Sequence, residues 1–127
     1  MRVPTILVVE DDPIARNIML QMLTKRGFRV FEADSADEAL AVCEAMTNHA
    51  LDLVIADHAL PDTTGRQLAE RILKSCPNVK VLHLSGWPYS RMEQENALLP
   101  GSSFLQKPFT GGQLLEVVQN ILDPRTH

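Results

Sequence analysis

Short apolar runs, each closed by polar turn residues and followed by a stretch of helical period, recur along the chain. Ile6-Leu7-Val8-Val9 is continuously aliphatic and stops at Glu10-Asp11-Asp12-Pro13, which predicts a strand buried on both faces and then a turn. Asp12 suits an N-cap and Pro13 the first helical position. Ala15, Ile18, Met19, Met22 and Leu23 fall at helical spacing and predict an inward face, with Gly27 as the stop. Phe28-Arg29-Val30-Phe31-Glu32 alternates as a strand near a sheet edge does. Ser35 and Glu38 read as a capping box for a second helix, with Ala36, Ala39, Leu40 and Cys43 inward. The polar Thr47-Asn48-His49 reads as loop.

Leu53-Val54-Ile55-Ala56 carries no polar side chain and ends in Asp57, after which Pro61 and Gly65 turn the chain. Thr64 and Gln67 open a helix with Leu68, Ala69, Ile72 and Leu73 inward, ended by Pro77-Asn78. Residues 79–84 predict a fourth strand closing on Ser85-Gly86. From Trp87 to Leu99 the apolar spacing is poor, so a short, mobile helix is expected. Pro100-Gly101 turns into Phe104-Leu105-Gln106, a short fifth strand reaching Lys107-Pro108. Thr110 and Gln113 cap a last helix striped by Leu114, Val117, Val118, Ile121 and Leu122, and the tail from Asp123 is expected to fray. Alternating strand and helix predicts one α/β domain over residues 1–127, with its core at about 5–122. Its expected architecture is a doubly wound, five-stranded parallel sheet of flavodoxin-like order 2-1-3-4-5, with helices on both faces.

Composition narrows the function. With 127 residues, 45% hydrophobic and 22% charged, the chain is an ordinary globular domain. A net charge of −4 argues against direct nucleic-acid binding. No apolar run approaches the roughly 20 residues that span a bilayer, and no signal peptide is visible, so no membrane contact is expected. Cys43 and Cys76 have neither metal nor disulfide-framework spacing and read as buried, reduced thiols of a cytoplasmic protein.

The chemistry gathers at the strand ends. Glu10 and Asp11, Asp57, Ser85 and Lys107 follow four different strands, and in a parallel sheet those ends share one edge. Three clustered carboxylates repel and call for a hard divalent cation with oxygen ligands; Mg2+ fits, and Mn2+ is an acceptable substitute. Asp57 is then placed to act as a nucleophile toward a phosphoryl group, with Lys107 neutralising one phosphoryl oxygen and the Ser85 hydroxyl bonding another. Each of these residues alone has an ordinary structural explanation. Their fall at successive strand ends singles them out.

Ile6-Leu7-Val8-Val9-Glu10-Asp11-Asp12-Pro13, Asp57-His58-Ala59-Leu60-Pro61 with Gly65, Leu84-Ser85-Gly86 and Phe104-Leu105-Gln106-Lys107-Pro108-Phe109 together resemble the receiver domain of two-component response regulators, from Ile6 to about Leu122. The resemblance implies phosphorylation of Asp57 by a histidine kinase or a histidine phosphotransfer domain, in a phosphorelay. It implies Mg2+ held by Asp11 and Asp57, by Glu10 largely through water, and by the backbone carbonyl of Ala59, together with a cis peptide before Pro108. It also implies a switch through Ser85 and Phe104, with an inward bias for the Phe104 ring. The first helix and the loop after Lys107 are the docking face that it implies for a phosphotransfer partner.

Leu84-Ser85-Gly86-Trp87-Pro88 and Pro100-Gly101-Ser102-Ser103 look most like receivers fused behind hybrid sensor histidine kinases. A fused or a free-standing chain, as a monomer or weak dimer, agrees with the sequence. Ala59 and Trp87 flank the expected approach of hydrolytic water, which predicts slow self-dephosphorylation, whereas His58 and His83 read as structural. A flavodoxin-like FMN protein shares the topology, but Glu10-Asp11-Asp12 is hostile to a metal-free phosphate. An aspartyl phosphatase needs a second acid two positions after Asp57, where Ala59 stands. A receiver-like module that only binds protein would not need the full set of acids, hydroxyl and lysine. The expectation is therefore a signalling switch that is not an enzyme in its own right.

Overall fold

The computed structural model describes residues 3–46 and 50–123. The loop expected at Thr47-Asn48-His49 and the tail beyond Asp123 lie outside the described residues. Strand and helix alternate throughout: β1 (Thr5–Val9), α1 (Pro13–Lys25), β2 (Arg29–Ala33), α2 (Ala36–Ala45), β3 (Leu53–Asp57), α3 (Gly65–Ser75), β4 (Lys80–Ser85), α4 (Tyr89–Gln94), β5 (Ser103–Gln106) and α5 (Gly111–Leu122). The strands pair in parallel in the order β2-β1-β3-β4-β5, as the sequence predicts.

The continuous aliphatic runs are explained by two cores, one on each face of the sheet. Leu7, Val9, Val54 and Ala56 pack toward α2 and α3, while Ile6, Val8, Leu53 and Ile55 pack toward α1 and α5. Every residue of β1 and β3 is buried. Each fully buried Leu or Ile contributes about 1.5–3 kcal/mol, so burial on both faces holds β1 and β3 firmly. They carry the acids at their ends.

The helix ends follow local chemistry, with corrections to the sequence reading. Asp12 caps α1 by accepting the Ile14 N–H at 3.0 Å. Gly27, at φ 91°, and Phe28 terminate α1: their N–H groups donate to Thr24 O and Leu23 O, a Schellman pattern. That use of Phe28 delays β2 to Arg29. Ile18 is 48% exposed rather than inward, because Met19 and Leu23 take the places over the sheet. In α2 the Ser35 hydroxyl accepts the Glu38 N–H, but Glu38 reaches past Ser35 to the Asp34 N–H at 3.0 Å. In α3 Thr64 caps the Gln67 N–H, whereas the Gln67 side chain bonds the Thr63 hydroxyl, so that box is only half made. Thr110 and Gln113 make the full reciprocal box of α5. The expected short helix after Trp87 is α4, six residues long.

Candidate functional site

Ladder-like backbone bonds run past the strand ends and align the loops that carry the polar residues. Glu10 N–H donates to Ala33 O, His58 N–H to Leu84 O at 2.7 Å, and Lys107 N–H to Ser85 O at 2.8 Å. The chain after Asp57 hooks tightly back, with Ala59 bridging Thr64 and the Gly65 N–H donating to His58 O. Gly65 is required there by space: a Cβ would lie 2.6 Å from the Asp57 carbonyl oxygen. A cis peptide joins Lys107 to Pro108.

These elements bring the acids together. Carboxylate oxygens of Glu10, Asp11 and Asp57 lie within 4.8 Å of one another. Glu10 is 1% exposed and Asp57 9%, while Asp11 faces solvent. The Lys107 ammonium donates to Glu10 Oε1 at 2.7 Å and lies 3.2 Å from Asp57 Oδ2. Burial acts to lower the Lys107 pKa, but the Glu10 hydrogen bond and the charges of Asp57 and Glu10 outweigh it and leave the pKa raised. One ammonium against three carboxylate side chains leaves excess negative charge on an all-oxygen donor set. That chemistry fits a hard divalent cation, not a soft one.

The remaining predicted residues surround this cluster. Ser85 is buried, and its hydroxyl accepts the Trp87 N–H at 3.0 Å. Trp87 is half-buried, with the His58 ring centroid 4.5 Å from its own and the Arg91 guanidinium 3.8 Å from its ring centre. Phe104 is half-buried, 6.0 Å from the Tyr89 ring, and pairs in register with His83. Ala59 is exposed in its hook. His83 is fully buried, and its Nε2 accepts the Leu99 N–H at 3.2 Å.

Other residues shape the site without having stood out in the sequence. Arg16 donates to the Glu10 carbonyl at 2.8 Å and pairs with Glu32, pinning the loop after β1 to the edge strand. Asp62 accepts the N–H groups of Ala36 and Asp37, capping α2 from the loop that follows Asp57. These two backbone bonds hold its pKa below the ordinary carboxylate value. Arg66 donates to the carbonyls of Asn96 and Leu98 and so ties α3 to the end of α4. Beside the acids, a cleft of about 300 Å³ opens between α1 and the loop after β5, lined by Ile18, Met22, Lys107 and Phe109 among others.

The family model described as the response regulator receiver domain matches residues 6–119. The chain belongs to this family. Among curated relatives of this receiver domain, the sensor kinase CckA of Brucella abortus is 31% identical over 94% of the chain and 12% of its own length. The autoinducer 1 sensor kinase/phosphatase LuxN of Vibrio harveyi is 31% identical over 97% of the chain and 14% of its own length. The chain therefore spans only a small part of these relatives. Among solved structures, a CheY-like receiver domain protein from Methanospirillum hungatei matches with a TM-score of 0.82 at 30% identity, covering 96% of this chain and 95% of that one. The receiver domain of the hybrid histidine kinase CckA matches with a TM-score of 0.80 at 29% identity, covering 94% and 99%. Receivers are phosphoacceptor switches of two-component systems. Among the described residues no helix is long and apolar enough to cross a membrane.

Proposed function

We propose that Asp57 is the residue that takes the phosphoryl group, from the phosphohistidine of a histidine kinase or a histidine phosphotransfer domain. The observation that carries this reading is the Lys107 ammonium bridging buried Glu10 and Asp57 beside Asp11, at the carboxyl edge of the sheet. A carboxylate oxygen of Asp57 attacks phosphorus as the bond to the histidine nitrogen breaks. Lys107 neutralises a phosphoryl oxygen, and the Ser85 hydroxyl turns from the Trp87 N–H to bond another. Glu10, Asp11, Asp57 and the Ala59 carbonyl would hold Mg2+, or Mn2+ in its place; bound there, the ion offsets phosphoryl negative charge.

The reorientation of Ser85, followed by inward movement of the half-buried Phe104 ring, is the switch we infer. The protein thereby acts as a signalling element and not as an enzyme turning over free substrates. Exposed Ile14 and Ile18, with the cleft beside Phe109, form an apolar surface next to the acids and are the proposed docking face for the phosphohistidine donor. We infer a cytoplasmic phosphorelay role, and the relatives among sensor kinases favour a hybrid-kinase setting. Exposure to acetyl phosphate and Mg2+ tests the acceptor: wild type is expected to label stoichiometrically and Asp57→Asn not at all. Equal labelling of the two would refute the assignment.

A further inference from the structure

Trp87, the chain's single tryptophan, touches two residues from different parts of the fold. His58 comes directly after Asp57, and its backbone is fixed by the 2.7 Å bond to Leu84 O. Its ring lies 4.5 Å from the indole at 46°, and its buried Nδ1 makes no hydrogen bond, so packing against the indole orients it. Arg91, on α4, sets its guanidinium 3.8 Å from the indole centre, a close cation–π contact. The backbone N–H of the same Trp87 engages the Ser85 hydroxyl. The turn between β4 and α4 is thus held from the β3 side and the α4 side through one ring.

We propose that His58 and Arg91 are positioning residues that hold the Trp87 indole beside the Asp57 loop, and that this hold sets how long a phosphoryl group on Asp57 survives. The inference rests on Asp57 being the acceptor. Loss of the group is hydrolysis: a water oxygen bonds to phosphorus, the bond from phosphorus to the Asp57 oxygen breaks, and carboxylate and dihydrogen phosphate leave with both water protons on the phosphate. An indole held next to His58 keeps bulk water from that approach. Without either contact the turn is free to carry the ring away. A ring contact or a cation–π contact of this kind biases a two-position equilibrium by roughly three- to tenfold.

The test follows decay of the label after acetyl phosphate is removed, in wild type, His58→Ala, His58→Phe, Arg91→Gln and Arg91→Lys, each also combined with Trp87→Ala. His58→Ala and Arg91→Gln are expected to shorten the lifetime roughly three- to tenfold, while His58→Phe and Arg91→Lys keep most of it. In the Trp87→Ala background neither loss should shorten it further. Acrylamide quenching of Trp87 fluorescence should rise in His58→Ala and Arg91→Gln and not in the conservative variants. Arg91 is exposed, so its replacement tests the hold even where a change at His58 perturbs folding. Unchanged lifetimes, unchanged quenching, or equal losses in the Trp87→Ala background would overturn the inference. A wild type that takes no label on Asp57 would instead refute the acceptor reading.

Discussion

His83 makes the fold acid-sensitive in a way that one substitution should remove. The imidazole lies fully buried on the central sheet, between Ala56 of β3 and Phe104 of β5 in register. Its Nε2 accepts the Leu99 N–H, so the neutral ring carries its proton on Nδ1, which has no hydrogen-bond partner. Burial, reinforced by the nearby His58 and Arg66 charges, lowers its pKa from 6.5 to about 4. Between those values the unfolded chain binds a proton that the native one refuses, so stability falls as pH drops through that window and levels off below it. At about 1.4 kcal/mol per tenfold in proton affinity, the full loss is about 3 kcal/mol, and about 2 kcal/mol of it is reached by about pH 5. His83→Met keeps the volume and removes the titration. It also leaves the Leu99 N–H without an acceptor, at a pH-independent cost of about 1–3 kcal/mol. Urea unfolding of both proteins in metal-free buffer, from about pH 7 to about pH 4, should therefore give converging curves, since the carboxylates common to both cancel in the difference. Parallel curves would show that His83 does not carry the acid sensitivity, as would a His83 imidazole titrating near its ordinary value by NMR.

Lys107→Ala should cost about 2 kcal/mol by urea unfolding without metal, less than a fully buried pair because the lysine is partly exposed, and Mg2+ should recover part of the loss. Full stability without metal would count against Glu10 needing a cation. Gly65→Ala should cost about 2 kcal/mol or more, because its Cβ would meet the Asp57 carbonyl, and should slow labelling as the loop shifts; thermal unfolding and acetyl phosphate uptake read the two effects. Asp62→Ala should lower the melting temperature above the ordinary carboxylate range and lose that effect as pH falls through the depressed Asp62 pKa. A deficit that persists in acid would show that the capping bonds do not depend on charge.

The fold was legible because burial on both faces leaves an unmistakable aliphatic run, as at Ile6-Leu7-Val8-Val9 and Leu53-Val54-Ile55-Ala56, and because alternation of strand and helix permits few topologies. The convergence of Glu10, Asp11, Asp57 and Lys107 was legible for the same reason: parallel strands end on one edge. Partners distant in sequence and specific to geometry were not. Asp62 caps a helix twenty-six positions earlier, and Arg16 bonds a backbone carbonyl that any residue offers. Ile18 matched the helical period, yet a periodic stripe fixes only a direction, not how wide the covered strip will be. Glu38 and Gln67 had the right spacing for capping boxes, but donors one residue before the caps, at Asp34 and Thr63, captured them. His83 looked like one more strand residue; its hydrogen bond to Leu99 depends on where the loop after α4 comes to rest.

Asp57 is the one carboxylate proposed to receive the phosphoryl group. Incubation with a phosphohistidine donor and Mg2+, borohydride trapping of the acyl phosphate and mapping of the modified peptide test it most directly. One modification per chain is expected, on Asp57, absent when the metal is chelated and absent in Asp57→Asn. Modification at Asp11 or Glu10, or undiminished labelling of Asp57→Asn, would contradict it.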